Sequence, residues 1–249
     1  MLNNCCKRVL LFVLLVRSSA LQSPPPRGLD ARLFGLNSAL IESMKGGIDL
    51  VYKDRDLARF LVLETVARVP YFAFCSVLHF RETFGERNTE LIRLHYAEAD
   101  NELHHLLIME HLCRDLNRFD SALAAALSVV AFWYSCLVYA SCPRAAYHLS
   151  ELIEDHAYHT YDSFLNREEK YLKSQPVPCV ASDYYTSKHS SQHRPLTSLY
   201  DVFLNVRDDE KDHWSTLCSL EQYDEIGHSC QHSTKQSSPE FIHKDTKGQ

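Results

Sequence analysis

Glycine and proline are scarce in this chain of 249 residues, at 7 and 9, and long stretches hold neither. That excludes a turn-rich all-β design and predicts a helical protein. No Cys-x-x-Cys pair exists among the nine cysteines, which are scattered and odd in number, so neither a zinc ribbon nor a disulfide scaffold is expected. A basic cluster is missing too. With a formal charge of -6 and a pI near 6.1, the chain has no surplus of Lys and Arg for a nucleic-acid surface. Charge of either sign is absent from Ser121 to Pro143, a run of 23 residues long enough to span a membrane. Its small residues, Ala122, Ala124, Ala125, Ala126 and Ser128, equally suit close packing of helix on helix.

Hydrophobic residues make up 45% of the chain, enough for one sizeable core. The first residues read as an address: Lys7 and Arg8, an apolar run from Val9 to Val16, then Ser18-Ser19-Ala20 as a small-residue cleavage site. That run is too short to cross a bilayer. A secreted chain would carry disulfides, so the address points to an organelle. Leu21 to Arg32, with Pro24-Pro25-Pro26 and Arg27 and Arg32 against Asp30, reads as a second short targeting segment. Residues 1–30 are thus expected to be a targeting segment, 31–222 the working domain and 223–249 a polar, disordered tail. Apolar spacing predicts six helices, at about Asp30 to Val51, Asp54 to Phe84, Glu86 to Asn117, Asp120 to Ser141, Arg144 to Leu172 and Leu196 to Leu220. Pro70 should kink the second. Ser174 to Pro195, with three prolines, should form the longest internal loop.

Glu-x-x-His occurs four times, at Glu102/His105, Glu210/His213, Glu225/His228 and Glu240/His243. The last two fall in the polar tail and are set aside. Residues three apart share a helix face, which suits one metal pair but equally suits a solvated side-chain pair. The lone glutamates shift the balance. Glu64 stands between Phe60-Leu61-Val62-Leu63 and Thr65-Val66-Ala67, where an unpaired carboxylate is costly to bury and metal ligation explains it. On the fifth helix Glu151, Glu154 and Asp155 compete, and spacing does not choose among them. The order Glu, Glu-x-x-His, Glu, Glu-x-x-His on four helices is the ligand pattern of di-iron bundles.

Three strings carry a family resemblance: Leu63-Glu64-Thr65-Val66-Ala67-Arg68-Val69-Pro70-Tyr71-Phe72-Ala73-Phe74, Asn101-Glu102-Leu103-His104-His105-Leu106-Leu107-Ile108-Met109-Glu110, and Tyr200-Asp201-Val202-Phe203-Leu204-Asn205-Val206-Arg207-Asp208-Asp209-Glu210. Together they are similar to the plastid terminal oxidases, the plastoquinol-oxidising branch of the alternative oxidase family, over about residues 48–218. The resemblance implies an all-α fold, a ferritin-like four-helix di-iron bundle with two additional membrane-associated helices. It implies two iron ions held by Glu64, Glu102, His105, Glu154, Glu210 and His213, selecting Glu154 over its neighbours. It also implies a catalytic tyrosine at Tyr161 and a quinone pocket at Arg59 and Thr160. Asn101 and Asp209, beside the ligands and matching family positions, are expected to support the metal-bound imidazoles from outside. His104 points about 100° away from His105 and is not expected to ligate. Two features depart from the family: the loop between Leu172 and Leu196 is shorter, and the stretch after Cys218 matches no familiar pattern.

The reaction so implied is 2 quinol + O2 → 2 quinone + 2 H2O, without proton pumping. The partners are plastoquinol or ubiquinol, O2 and membrane lipid, with a homodimer left open and no nucleic acid. The implied location is the plastid thylakoid membrane, with the mitochondrial inner membrane as the alternative. A soluble ferritin-like di-iron protein would not need the charge-free helix, and a non-catalytic membrane protein would not need the ligand set. The first helix, with Leu33, Phe34, Leu36, Leu40, Ile41 and Met44 on one face and Arg32 and Lys45 near head groups, suits one leaflet. The charge-free helix is expected to lie there too, because a true span would take it away from its bundle neighbours.

Overall fold

A computed structural model describes residues 28–187 and 193–234, with side chains to Gln222. Eight helices and no strand occur among the described residues: α1 (Leu29–Val51), α2 (Asp56–Ala67), α3 (Val69–Glu82), α4 (Thr89–Leu112), α5 (Arg118–Ser141), α6 (Pro143–Ser174), α7 (Cys179–Ser187) and α8 (Leu199–Thr234). The all-α class holds, and three details differ from the sequence reading. The kink expected at Pro70 is a break at Arg68 that divides the second helix into α2 and α3. Pro70 has no N–H to give, and the Val66 carbonyl accepts the Arg68 N–H.

The expected loop from Ser174 to Pro195 contains α7. Pro176 and Pro178 precede the helix start, and Ala181, Tyr184 and Tyr185 are buried against the bundle. The last helix continues past Leu220 to Thr234, so part of the stretch expected to be a disordered tail has helical backbone. Residues 1–27 of the expected targeting segment lie outside the described residues, as do positions 235–249.

Four helices form the inner bundle: α6 packs along α8, and α2 lies against α4 and α6. The rest wrap them, with α1 on α6, α3 on α4 and α5, α5 on α2 and α6, and α7 on α4. Aromatic clusters fill the bundle on two sides of the candidate centre. Phe60 stacks on Tyr161 at 4.3 Å and meets Phe164 edge-on at 5.1 Å. Phe74 stacks on Tyr139 at 4.6 Å and meets Tyr147 edge-on at 5.5 Å. Full burial of a ring of this kind contributes about 1.5–3 kcal/mol, so the acidic centre sits in a frame held by hydrophobic contacts.

Helix α5, free of charge from Ser121 onward, begins at a reciprocal cap. Asp120 N–H donates to the Asn117 side chain and the Asn117 N–H donates to the Asp120 carboxylate, both at 3.0 Å. Asp120 also takes Arg55 at 2.7 Å and the Tyr52 hydroxyl at 3.0 Å, tying the α1–α2 elbow to the start of α5. At the opposite side, Tyr134 donates to buried Asn37 at 2.7 Å, and Asn37 donates to the Ala145 carbonyl at 2.8 Å. Thus α1, α5 and α6 are pinned by polar contacts while their outer faces stay apolar.

Two stretches are long and apolar enough to cross a membrane, Asp56–Glu82 and Arg118–Ser141. The most apolar window of the first is 67% buried, which explains its composition as core; that of the second is only 17% buried. Val129, Val130, Trp133 and Leu137 on α5, and Leu36, Leu40 and Leu50 on α1, are exposed.

Candidate metal centre

The pattern Glu, Glu-x-x-His, Glu, Glu-x-x-His converges at one point in the bundle. Glu64 comes from α2, Glu102 and His105 from α4, Glu154 from α6, and Glu210 and His213 from α8; none is more than 8% exposed. Their ligand atoms fall into two sets, Glu64, Glu102, His105 and Glu210 in one and Glu102, Glu154, Glu210 and His213 in the other. Within each set these atoms lie within 4.8 Å of one another. Glu102 and Glu210 belong to both, a division that the sequence pattern did not reveal. Two neighbouring cations could be held by these sets, with Glu102 and Glu210 available to both.

A metal pair is tested by what the side chains lack without one. Glu64 Oε2, both oxygens of Glu102 and of Glu210, Glu154 Oε2, His105 Nδ1 and His213 Nδ1 are buried without a hydrogen-bond partner. His105 Nδ1 comes to 3.0 Å from Glu210 and His213 Nδ1 to 2.8 Å from Glu102, yet without hydrogen-bond geometry. So many converging orphans would be costly in a finished core. Oxygen and imidazole donors suit iron or a similar divalent ion, and the residues fit such a pair.

Protonation tells the same story. Burial, reinforced by the Glu102 charge, pushes Glu64 up to about 8 and Glu154 up to about 7. Burial also pushes Glu210 well above the usual carboxylate range. Burial works against charge on His213, but its contact with Glu102 prevails and raises it to about 9. His105 is likewise raised well above its ordinary value by Asp209 and Glu210, in spite of burial. Carboxylates so raised hold protons readily, and a cation pair would displace them on binding.

Asn101 and Asp209 lie beside the cluster. His105 Nε2 lies 3.1 Å from Asp209, and Asn101 donates to Asp209 at 3.3 Å and to Tyr184 at 2.7 Å. His193 and Tyr185 also reach Asp209, at 2.8 and 3.2 Å, two contacts that sequence reasoning missed. Burial disfavours charge on Asp209, yet His105 and His193 hold it well below the usual range. His104 is turned out, stacked on Tyr184 at 3.9 Å. Of the three acids that competed on the fifth helix, Glu154 alone enters the cluster: Glu151 takes the Trp214 N–H at 3.4 Å and Asp155 faces His159 at 3.2 Å.

Two tyrosines cross the centre. The Tyr161 hydroxyl donates to Glu64 in a very short contact, and Tyr71 donates to Glu154 at 2.7 Å. Each stands seven residues after a lone glutamate, Glu154 or Glu64, and reaches the other one. Tyr71 was missed in the sequence, although its spacing from Glu64 repeats that of Tyr161 from Glu154.

An apolar cavity of about 180 Å³ runs from Leu40 and Met44 of α1 and Leu127 and Val130 of α5 to Glu64 and Tyr161. Beside it is a polar recess of about 250 Å³ that holds Arg59. Phe60, His156 and Thr160 line both. Arg59 therefore lies in the adjoining recess and not in the apolar cavity, with Nη2 2.6 Å from Asp49. Thr160 faces both spaces, but its hydroxyl is held by the His156 carbonyl at 2.8 Å.

Comparison with known proteins agrees with this geometry. The family model described as alternative oxidase matches residues 36–222. The chain is 45% identical to ubiquinol oxidase 4, chloroplastic/chromoplastic, of Arabidopsis thaliana, over 74% of this chain and 56% of the relative. It is 30% identical to ubiquinol oxidase 1, mitochondrial, of Nicotiana tabacum, over 70% of this chain and 48% of the relative. Ubiquinol oxidase 1c, mitochondrial, of Arabidopsis thaliana is 27% identical over 70% of this chain and 51% of the relative. The chain thus spans about half the length of the relatives it matches.

Proposed function

This chain belongs to the alternative oxidase family, and from that premise we propose that it oxidises a membrane quinol and reduces oxygen to water, 2 quinol + O2 → 2 quinone + 2 H2O. The observation that carries this reading is the pair of overlapping ligand sets at the inner end of an apolar cavity. Glu64, Glu102, His105 and Glu210 would hold one iron and Glu102, Glu154, Glu210 and His213 the other. Bound there, the two irons would supply the redox capacity for cleaving the O–O bond. The protein's own part is to exclude water, fix the ligands and receive the quinol. Asp209 would fix the His105 ring, Tyr71 would orient Glu154, and Tyr161, hydrogen-bonded to Glu64 at the cavity end, would relay a proton and an electron from the quinol. Oxygen uptake by the purified protein in membranes, supplied with plastoquinol or ubiquinol, tests the reading; no uptake with either quinol would overturn it.

Plastoquinol in a thylakoid membrane is the preferred substrate and place, supported by the plastid-type string Ala67 to Phe74 and by the higher identity to the chloroplastic relative. Ubiquinol in the mitochondrial inner membrane is the alternative, distinguished by the relative rates on the two quinols.

Arg59 separates substrate binding from metal binding. Its guanidinium lies in the recess beside the cavity and pairs with Asp49. Arg59→Ala is therefore expected to raise the KM for quinol about tenfold or more, the loss of one charged hydrogen bond, while iron per chain stays at the wild-type value. Iron lost together with activity would make Arg59 structural.

Tyr71 is expected to act on the metal. Tyr71→Phe removes the hydroxyl that Glu154 accepts from at 2.7 Å, and removal of such an outer partner typically weakens metal affinity about 10–100-fold. A chelator competition that gives equal iron affinity for Tyr71→Phe and wild type would remove this role.

The protein is proposed to lie on one leaflet, through the apolar outer faces of α1 and α5. The α5 helix is 24 residues long, but Ser128 donates to the Thr65 carbonyl of α2 at 3.2 Å and Tyr134 is bonded to Asn37 of α1. A spanning α5 would have to give up both contacts. Thiol labelling of cysteines placed at the two ends of α5 is expected to succeed from the same side of sealed vesicles; labelling from opposite sides would establish a span.

A further inference from the structure

His156 stands where the apolar cavity and the Arg59 recess meet, and it is used by none of the roles above. It lies two positions beyond Glu154 on α6 and lines both spaces. Its Nε2 is buried without a hydrogen-bond partner, and so is the Nε of Arg59 in the adjoining recess. Arg59 is anchored through Nη2 on Asp49, which leaves the Nε–H edge to be satisfied by something else. Thr160, their neighbour in both spaces, gives its hydroxyl to the His156 carbonyl at 2.8 Å. The ring of Phe60, which also lines both spaces, is stacked on Tyr161.

A buried acceptor and a buried donor left open at the same junction cost free energy unless a ligand or water completes them. The walls around them decide what kind of ligand fits. The cavity side is formed by side chains such as Leu40, Ile41 and Val130, so the ligand must be largely apolar with a small polar end. A hydroquinone ring with an aliphatic tail has that form, and its hydroxyl can both donate and accept.

We propose that His156 positions the quinol head group: the ring nitrogen Nε2 accepts a hydrogen bond from a quinol hydroxyl, while the Arg59 Nε–H donates to a quinol oxygen. This deepens the quinol-oxidase reading and rests on it. The aromatic head occupies the junction beside Phe60, and the tail runs out along the apolar cavity between α1 and α5. The tautomer that accepts at Nε2 carries its hydrogen on Nδ1. A quinone has no O–H to offer to that nitrogen, so His156 favours the reduced substrate over the oxidised product and helps the product leave.

The test uses full-length, iron-loaded protein in detergent, a decyl-tailed dimethylhydroquinone, and the bis-methyl ether of that compound, which lacks the O–H. Anaerobic equilibrium titration reads affinity, oxygen uptake reads KM and kcat, and metal analysis reads iron per chain. Wild type is expected to bind the hydroquinone about tenfold tighter than its ether. His156→Leu should lose that preference and raise KM about tenfold while kcat changes by less than about twofold. His156→Gln keeps an acceptor and should restore most of the preference. Equal wild-type affinity for the two compounds overturns the proposal without any variant, and so does a His156→Leu protein that still prefers the hydroquinone. If His156→Leu loses iron, the wild-type ligand pair and His156→Gln decide. Wild type that fails to oxidise the hydroquinone sinks the quinol-oxidase reading and this proposal with it; wild-type turnover with an unchanged ligand preference at position 156 sinks only the proposal.

Discussion

Glu102→Ala or Glu210→Ala is expected to abolish oxygen uptake and to lower the iron content for both metal positions at once. Each of these carboxylates belongs to both ligand sets, whereas Glu64 and Glu154 belong to one each. Removing a shared carboxylate takes one anionic oxygen donor from each of two adjacent dications, and their mutual repulsion inside a low-dielectric core is then under-compensated. The single-set variants Glu64→Ala and Glu154→Ala should retain more iron than the shared-set variants. Elemental analysis of the four purified variants, alongside an oxygen electrode, checks the ranking. Full activity in Glu102→Ala or Glu210→Ala would remove the ligand assignment.

Removing the metals should make the protein less stable as pH rises, with the opposite trend in the gain from metal. Glu64 and Glu154 have ordinary values of 4.5 and are raised in the folded chain to about 8 and about 7. A raised carboxyl binds its proton more tightly in the folded state than in the unfolded one. Its stabilising contribution is complete below about pH 4.5 and is lost as pH climbs through the folded values of about 7 and 8. His213, raised from 6.5 to about 9, acts in the same direction over pH 6.5 to 9. Metal-free protein should therefore lose more than about 5 °C in Tm between pH 5 and pH 9. Metal binding needs the deprotonated groups, so the difference in Tm between loaded and metal-free protein should widen over the same interval. Calorimetric scans with parallel Tm curves for the two forms would contradict this account.

Much of the centre was legible because its chemistry leaves marks that local structure does not disguise. An acid inside an apolar helix, as at Glu64, and a Glu-x-x-His on a helix face are visible without knowing how the chain folds. The selection of Glu154 was not: Glu151, three residues earlier, shares its face, and sequence does not show that Glu151 turns to Trp214 of α8 or that Asp155 pairs with His159 one turn along its own helix. Nor could sequence divide six candidate ligands into two sharing sets, since that depends on how four helices approach. Tyr71 was readable in principle from its seven-residue step after Glu64, but the step has meaning only once α2 and α6 are known to face each other. In the fold, apolar periodicity found the long helices. It missed α7, whose nine residues follow Pro178 and bury only a short Ala181, Tyr184 and Tyr185 face. The location of Arg59 was also recovered only in part: it is beside the apolar cavity, in a recess that shares walls with it.

The cavity that opens between α1 and α5 changes what concentration means for this protein. Its outer walls are the same apolar side chains proposed to rest in lipid, so substrate would arrive by lateral diffusion within the bilayer and never cross bulk water. The quantity sensed is then the mole fraction of quinol in the leaflet. Adding inert lipid at fixed protein, quinol and volume dilutes that two-dimensional pool and slows turnover, while adding buffer at fixed lipid leaves the rate per protein unchanged. Electron flow through such a site would be governed by the redox filling of the membrane pool, which would tie its output to how crowded with reduced carrier the surrounding lipid has become.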